Sequence, residues 1–157
     1  MERVIQPRQL TAEQRNELKS RLAALRGQHV DVLGYIYDPE SSLFAKELYT
    51  VLDEAELAVT LSAVMIDKGN RIVFGVLVET KSESGAAAST LVSSFRLVGI
   101  RTVDPPVPLE GLPQQFEGDL TAPVRITVGV NAERWAAKRV KDTQSDAPNR
   151  RAGARKE

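Results

Sequence analysis

Four side chains that could take part in acid–base or nucleophilic chemistry stand together in "YDPESS": Asp38, Glu40, Ser41 and Ser42. A strand-to-helix turn is a common place for such groups, and helix N-termini attract anions. A nucleophilic serine needs a base, but the only histidine, His29, lies roughly 25 Å away at about 3.3 Å per residue of strand. Helix capping also accounts for each residue locally. Asp38, Glu40 and Ser41 are therefore candidate ligand-binding residues, and no catalytic residue is assigned.

A second turn of this kind occurs in "ETKSESGAAAST", which joins a predicted strand to a predicted helix. Hydroxyls and free backbone N–H groups there could hold a phosphate. The spacings GxxxxGK[ST] and GxGxxG are absent, and Glu83 would repel a phosphate. A helix N-cap at Ser82 or Ser84 explains the same residues. Ser82, Ser84 and Gly85 are the candidate ligand-binding residues of this turn.

Composition excludes other kinds of site. The absence of cysteine rules out disulfides and thiolate chemistry. With one histidine and no EF-hand spacing, we expect no metal site and no cofactor. The 21 basic and 21 acidic residues balance, so no global charge attracts nucleic acid. "RIVFGVLVE" also lacks the paired aromatics of RNA-recognition modules, so no nucleic-acid partner is expected.

Two segments bear on location. The start, "MERVIQPRQLTAEQRNEL", is too polar for a signal peptide. The longest apolar run, "LAVTLSAVMI", is far shorter than the roughly 20 residues of a membrane span. We expect no transmembrane segment in this chain. It is predicted to be soluble and cytoplasmic by default, or else the soluble part of a membrane-tethered protein.

Hydrophobic periodicity predicts one α+β domain over residues 11–135, after an extended lead-in at 1–10 and before a basic, disordered tail at 136–157. A capping box at Thr11 starts the first helix, and Asp38 with Pro39 starts the second. "SESGAAASTLVSSFRLVG" predicts a third helix that ends at Gly99.

Without the first helix and the last strand, the predicted order is βαββαβ, which is that of the ferredoxin-like fold. "DKGN" is interpreted as a hairpin turn between the second and third strands of this core. The first helix is an addition to the core. The strand at 124–130 follows a long Pro- and Gly-containing loop, and we predict that it joins an edge of the sheet.

The first and third strands are apolar on both faces, so both faces need covering. Leu18, Leu22 and Leu25 of the first helix either cover the second face or meet another copy of the chain. Arg125 and Thr127 are predicted to point outward from the edge strand, whose backbone could pair with a second copy. We therefore predict a homodimer with these five residues at or near its interface.

Several motifs resemble a family of uncharacterised bacterial soluble domains. They are "PRQLTAEQRNELKSRLAAL", "DPESSLFAKELYTVLDEAEL" and "ITVGVNAERW". Members of that family typically follow an N-terminal membrane helix, and the resemblance implies no catalytic residues. "VRITVGV" and the βα units before it are more loosely similar to the C-terminal domain of LytR-type cell-wall proteins.

A shorter stretch, "DVLGYIYDPESSLFAKELYTVLDEAELAV", is similar to the opening strand, helix and second strand of TIR-type domains. That resemblance implies an activity on a nucleotide, since some TIR-type domains cleave NAD. The remainder of the chain departs from the TIR pattern, because "SESGAAASTLVSSF" carries no acidic residue in its helical body.

The core is well specified, but no reactive groups converge in the sequence. The chain is therefore interpreted as a non-catalytic sensory or protein-interaction domain of a membrane-associated bacterial system. The alternative is a TIR-like or nucleotide-binding domain that acts on or senses a nucleotide. The first interpretation allows a protein partner besides the homodimer.

Overall fold

The computed structural model describes residues 6–64, 73–109, 121–131 and 133. Within these ranges lie three α-helices and five strands. The helices are α1 (Ala12–Leu22), α2 (Pro39–Glu54) and α3 (Gly85–Leu97). The strands are β1 (His29–Tyr35), β2 (Ala58–Val64), β3 (Val76–Thr80), β4 (Val107–Pro108) and β5 (Val124–Val128). The predicted tail at 136–157 lies outside the described residues.

Local sequence signals account for the helix ends. Thr11 and Gln14 form the predicted capping box at the start of α1. Asp38 caps α2 and Pro39 is its first residue, as predicted. Gly99 follows α3 with a φ of 88°, a left-handed conformation that favours glycine.

The five strands form one mixed sheet in the order β2-β1-β5-β3-β4. β1 pairs in parallel with β2 on one side and with β5 on the other. β3 is antiparallel to β5 and parallel to β4. The sheet therefore contains two βαβ units, β1–α2–β2 and β3–α3–β4, which run in opposite directions and are joined through β5.

This mixed sheet with three helices agrees with an α+β class, but the ferredoxin-like order is not confirmed. A split βαβ core has another strand between the parallel pair, whereas β1 and β2 are direct neighbours here. β2 and β3 do not form the predicted hairpin pair either, since β1 and β5 lie between them. The "DKGN" segment itself lies outside the described residues. The order of strands along the chain was therefore not sufficient to predict which strands pair in the sheet.

The prediction of a C-terminal edge strand is wrong. β5 is the central strand, and all five of its residues are buried. Arg125 and Thr127 consequently point onto a buried face, where they are 7% and 9% exposed. A strand that is buried on both faces lies inside a sheet. The alternation of polar and apolar residues in "VRITV" had instead predicted one solvent-facing side.

One face of the sheet carries the main core. Side chains from all three helices pack there with Val30, Val32, Val78 and Ile126 of the strands. Leu18 and Leu22 of α1 are fully buried in this core, and Leu25 packs against it. α1 contacts both α2 and α3. Leu18 and Leu22 therefore pack inside the chain on the helical face and cannot form the predicted dimer interface, whereas Leu25 is only partly buried.

The opposite face carries a row of polar residues that crosses four strands: Thr60, Asp31, Arg125 and Glu79. Asp31 is fully buried, and its Oδ1 accepts hydrogen bonds from the hydroxyls of Thr60 and Ser62. Arg125 donates through Nε and Nη2 to the two carboxylate oxygens of Glu79, at 3.1 Å each. Buried charges of this kind are tolerated where they are paired and hydrogen-bonded.

Candidate functional site

The polar side chains of the turn after β1 form hydrogen bonds to backbone groups and stabilise the fold. Asp38 Oδ1 accepts from the backbone N–H groups of Glu40 and Ser41 at 3.1 and 3.4 Å. Ser41 is fully buried; its hydroxyl accepts from Tyr35 N at 3.0 Å and donates to Val128 O at 2.6 Å. The Ser41 side chain thus links the ends of β1 and β5. Its hydroxyl is engaged on both sides and faces no solvent.

Glu40 is bound by Arg8 of the lead-in. Arg8 Nε and Nη2 donate to the two carboxylate oxygens at 2.8 and 2.7 Å, and Arg8 N donates to Oε1 at 3.0 Å. Arg8 Nη2 also donates to Gly129 O at 2.6 Å, just beyond β5. The Glu40 side chain is 3% exposed, so its charge is taken up by this pair. The candidate ligand residues of this turn therefore have partners within the chain.

The turn after β3 is built differently. A short 3-10 turn, Ser82–Ser84, precedes α3, and Ser84 occupies the N-cap position without a side-chain cap hydrogen bond. Gly85 has open space around it. The side-chain capping predicted for Ser82 or Ser84 is therefore absent from this turn.

The two turns lie at opposite ends of the sheet. Ser41 bonds to Val128, the last residue of β5, whereas Lys81 N donates to Pro123 O, just before β5 begins. Asp38, Glu40 and Ser41 thus lie at one end, and Ser82, Ser84 and Gly85 at the other. The six predicted ligand residues do not form one site.

A polar cleft, with a volume of about 220 Å³, opens at the end of the sheet that holds the first turn. Six segments surround it: the lead-in before α1, α1 itself, α2, the start of β3, the segment after α3, and the segment after β5. Its polar lining residues are Gln6, Arg8, Gln9, Gln14, Arg101, Asn131 and Glu133. Leu10, Phe44 and Ile100 add buried apolar surface.

Backbone hydrogen bonds fix the walls of the polar cleft. Gly75 N donates to Val130 O at 3.1 Å, and Val76 N donates to Arg101 O at 3.0 Å. Gly75 has a φ of 77°, and a Cβ at this position would lie 2.8 Å from Arg101 O. Glycine therefore permits the close approach that places Arg101 beside the start of β3. The backbone of Arg101 is held although its side chain is exposed.

The charges of the polar cleft are of two kinds. Arg8 is neutralised by Glu40, and its guanidinium carbon lies 4.9 Å from the centre of the Phe44 ring. Arg101 and Glu133, by contrast, are exposed and form no ion pair with any part of the chain that the structure describes. One cation and one anion are therefore free to meet a ligand.

Arg8 also carries an unsatisfied donor. Its Nη1 is buried and makes no hydrogen bond to the described part of the chain. Leaving a buried donor unpaired costs about 1–3 kcal/mol. Because the atom is covered by the protein, it is not itself a contact point for a ligand. The Arg8 side chain is therefore a structural element between the lead-in, α2 and β5.

Two further observations concern the Tyr35 phenol and the groups that could hold a metal ion. Burial raises the pKa of Tyr35, although its hydrogen bond from Val73 N acts in the opposite direction. That phenol stays protonated at neutral pH and is no general base. Residues 6–64, 73–109, 121–131 and 133 contain no group of three or more potential ligands that could hold a metal ion.

Sequence reasoning missed the residues that line the polar cleft. Arg8, Arg101 and Glu133 are too far apart in the sequence to belong to one local motif. The folded sheet brings their segments together. The polar "QPRQ" of the lead-in was the available signal, but a lead-in gives no indication of where it docks. In the structure, Glu40 and Glu47 accept from the backbone N–H groups of Arg8 and Leu10 and hold it in place.

Comparison of the chain with protein-family models, curated proteins and solved structures gives no match. None of the helices in the described ranges has the length and apolar character needed to cross a membrane. The function is therefore inferred from the chemistry of the polar cleft.

Proposed function

We propose that this domain is a non-catalytic sensory module that recognises a small polar ligand in the polar cleft. The observation that carries the proposal is the state of Arg101. Its backbone is fixed against β3, and Arg101 is an exposed lining residue of the cleft without an ion-pair partner in the described residues. An exposed, unpaired cation that lines a cleft is a suitable contact for an anionic or polar group.

The size of the cleft favours a small ligand. Its volume of about 220 Å³ is below the roughly 300–1,000 Å³ typical of sites for drug-sized molecules. A dinucleotide is too large to be enclosed there. This is the reason for preferring a small-molecule sensor to the nucleotide-binding alternative, for which no contact among the described residues offers support.

The non-catalytic part of the proposal rests on how the reactive groups are used. Asp38 caps a helix, Glu40 is paired with Arg8, and the Ser41 hydroxyl is occupied at both ends. His29 begins β1, at the end of that strand opposite Asp38. No hydrogen bond described for Asp38, Glu40 or Ser41 joins a hydroxyl to a base, which is the contact that activates a nucleophile.

The resemblance to domains that follow a membrane helix supports the hypothesis that this sensor serves a membrane-associated system. A homodimer remains part of that hypothesis, but it needs a surface other than the residues first predicted. Leu18 and Leu22 lie in the core, and Arg125 lies in the central strand.

A ligand screen tests the proposal. The full chain is mixed with small carboxylates, amino acids, inorganic phosphate and NAD, and its melting temperature is measured. Ligands that bind the folded state alone raise this temperature by mass action. We expect one of the small ligands to raise it, and Arg101→Ala to abolish the effect.

Arg26→Ala is the matched control, because Arg26 is also exposed and pairs with Glu56 on another part of the surface. It should keep the ligand response. A response that survives in Arg101→Ala would place binding elsewhere, and turnover of NAD by the wild-type chain would contradict a non-catalytic function.

A further inference from the structure

The two unpaired charges of the polar cleft have opposite signs. Arg101 lies on the segment after α3, and Glu133 on the segment after β5. We infer that the ligand is a small zwitterion of the amino-acid type, whose carboxylate meets Arg101 and whose ammonium group meets Glu133. This inference rests on the proposed function and names the chemical class of its ligand.

Glu133 is held in a defined place. Its backbone N–H donates to Asn131 Oδ1 at 3.2 Å, and Val130 N donates to Val73 O at 2.9 Å. The segment that carries the carboxylate is thereby tied to the start of β3, which also holds Arg101 through Val76. The backbones of both residues are thus anchored at the same end of β3, which brings the two side chains to one cleft.

The remaining charges of the cleft do not compete for the ligand. Arg8 makes a bidentate pair with Glu40, so its charge is paired within the chain. A ligand with only a negative charge, such as phosphate, would pair with Arg101 but meet repulsion from Glu133. A ligand with only a positive charge would pair with Glu133 but meet repulsion from Arg101. A zwitterion pairs both groups and leaves neither charge desolvated without a partner.

The rest of the lining suits the body of such a ligand. Leu10 and Ile100 are 8% and 7% exposed and present apolar surface next to Phe44. Small sites commonly combine an apolar lining with a few convergent polar groups that set orientation. An amino acid with an aliphatic side chain offers charged groups to the polar lining residues and an apolar side chain to the apolar ones, and it is small enough for the cleft.

Three related probes test the charge requirement: L-leucine, N-acetyl-L-leucine and L-leucinamide. The first carries both charges, the second only the carboxylate, and the third only the ammonium group. Their dissociation constants are measured by two-dimensional NMR titration of the full chain. We expect L-leucine to bind about tenfold more tightly than either blocked probe, as the loss of a charge-assisted contact implies.

Two variants assign the contacts. Arg101→Gln should weaken L-leucine and N-acetyl-L-leucine but not L-leucinamide. Glu133→Gln should weaken L-leucine and L-leucinamide but not N-acetyl-L-leucine. Arg26→Gln is the control for loss of an exposed charge, and unchanged melting temperatures show that the variants fold.

The results separate the two proposals. If N-acetyl-L-leucine binds as tightly as L-leucine, or if acetate or phosphate binds in an Arg101-dependent way while L-leucine does not, the zwitterion inference is wrong and the sensor proposal stands. If neither these probes nor the wider screen binds, both proposals are wrong.

Discussion

The two strand-to-helix turns look alike in sequence and differ in the structure. Each places serine and acidic residues between a strand and an amphipathic helix. In the first turn, Asp38 caps the helix, whereas Glu40 and Ser41 bond to distant parts of the chain. In the second, Ser84 makes no cap hydrogen bond and Gly85 has open space around it.

The difference follows from the strands that the turns serve. The first turn ends β1, which has a parallel neighbour on each side, and the Ser41 hydroxyl joins β1 to β5 there. The second turn ends β3, whose parallel partner β4 has only two residues. Polar residues at a helix start thus form bonds between strands where two long parallel strands end together. The same residue types form no such bonds beside the two-residue strand β4.

The largest expected effect comes from Glu40. Glu40→Gln removes the negative charge that faces Arg8 but keeps the size of the side chain. Removing one partner of a buried pair is strongly destabilising; since Arg8 keeps some exposure, we expect a loss of about 2–4 kcal/mol in the free energy of unfolding. Urea denaturation measures this change.

Glu83→Gln is the matched variant in the second turn. Glu83 is exposed and makes no ion pair in the described structure, so its loss should change stability by less than about 0.5 kcal/mol. Equal losses in the two variants would remove the distinction between the turns.

The sequence predicted the local parts of this fold well. The capping box at Thr11, the cap at Asp38 and the stop at Gly99 depend on nearby residues alone, and all are confirmed. Strand pairing depends on contacts that are distant in sequence. The predicted edge position of β5 was wrong because Arg125 was interpreted as a solvent-facing residue. In the structure it pairs with Glu79 on the neighbouring strand.

The candidate site was less accessible to sequence reasoning. The conspicuous cluster "YDPESS" stabilises the fold, whereas residues of six separate segments form the polar cleft. Arg101 carries no local motif, and its importance arises from the fixed backbone and from the absence of an ion-pair partner in the described chain. Neither property can be inferred from residue types and spacing.

A smaller effect is expected at Ser41. Ser41→Ala removes a buried hydroxyl that accepts from Tyr35 N and donates to Val128 O. An unpaired buried backbone group should lower the free energy of unfolding by about 1–3 kcal/mol. Ser84→Ala removes no cap hydrogen bond and should change it by less than about 0.5 kcal/mol. Chemical denaturation of both variants checks the pair, and a loss at Ser84 as large as that at Ser41 would contradict the contrast.

The smallest effects concern one glycine from each βαβ unit. A Cβ at Gly34 would lie 3.0 Å from Ala45 Cβ and 3.1 Å from Ser42 Cα, since β1 and α2 pack closely there. Gly34→Ala should therefore cost about 1–2 kcal/mol, because the helix must move away from the strand. Gly85→Ala meets nothing within 4 Å at the first residue of α3 and should raise stability by about 0.4–1 kcal/mol. Thermal melts should thus shift in opposite directions. A gain at Gly34 would mean that the first unit is packed no more tightly than the second.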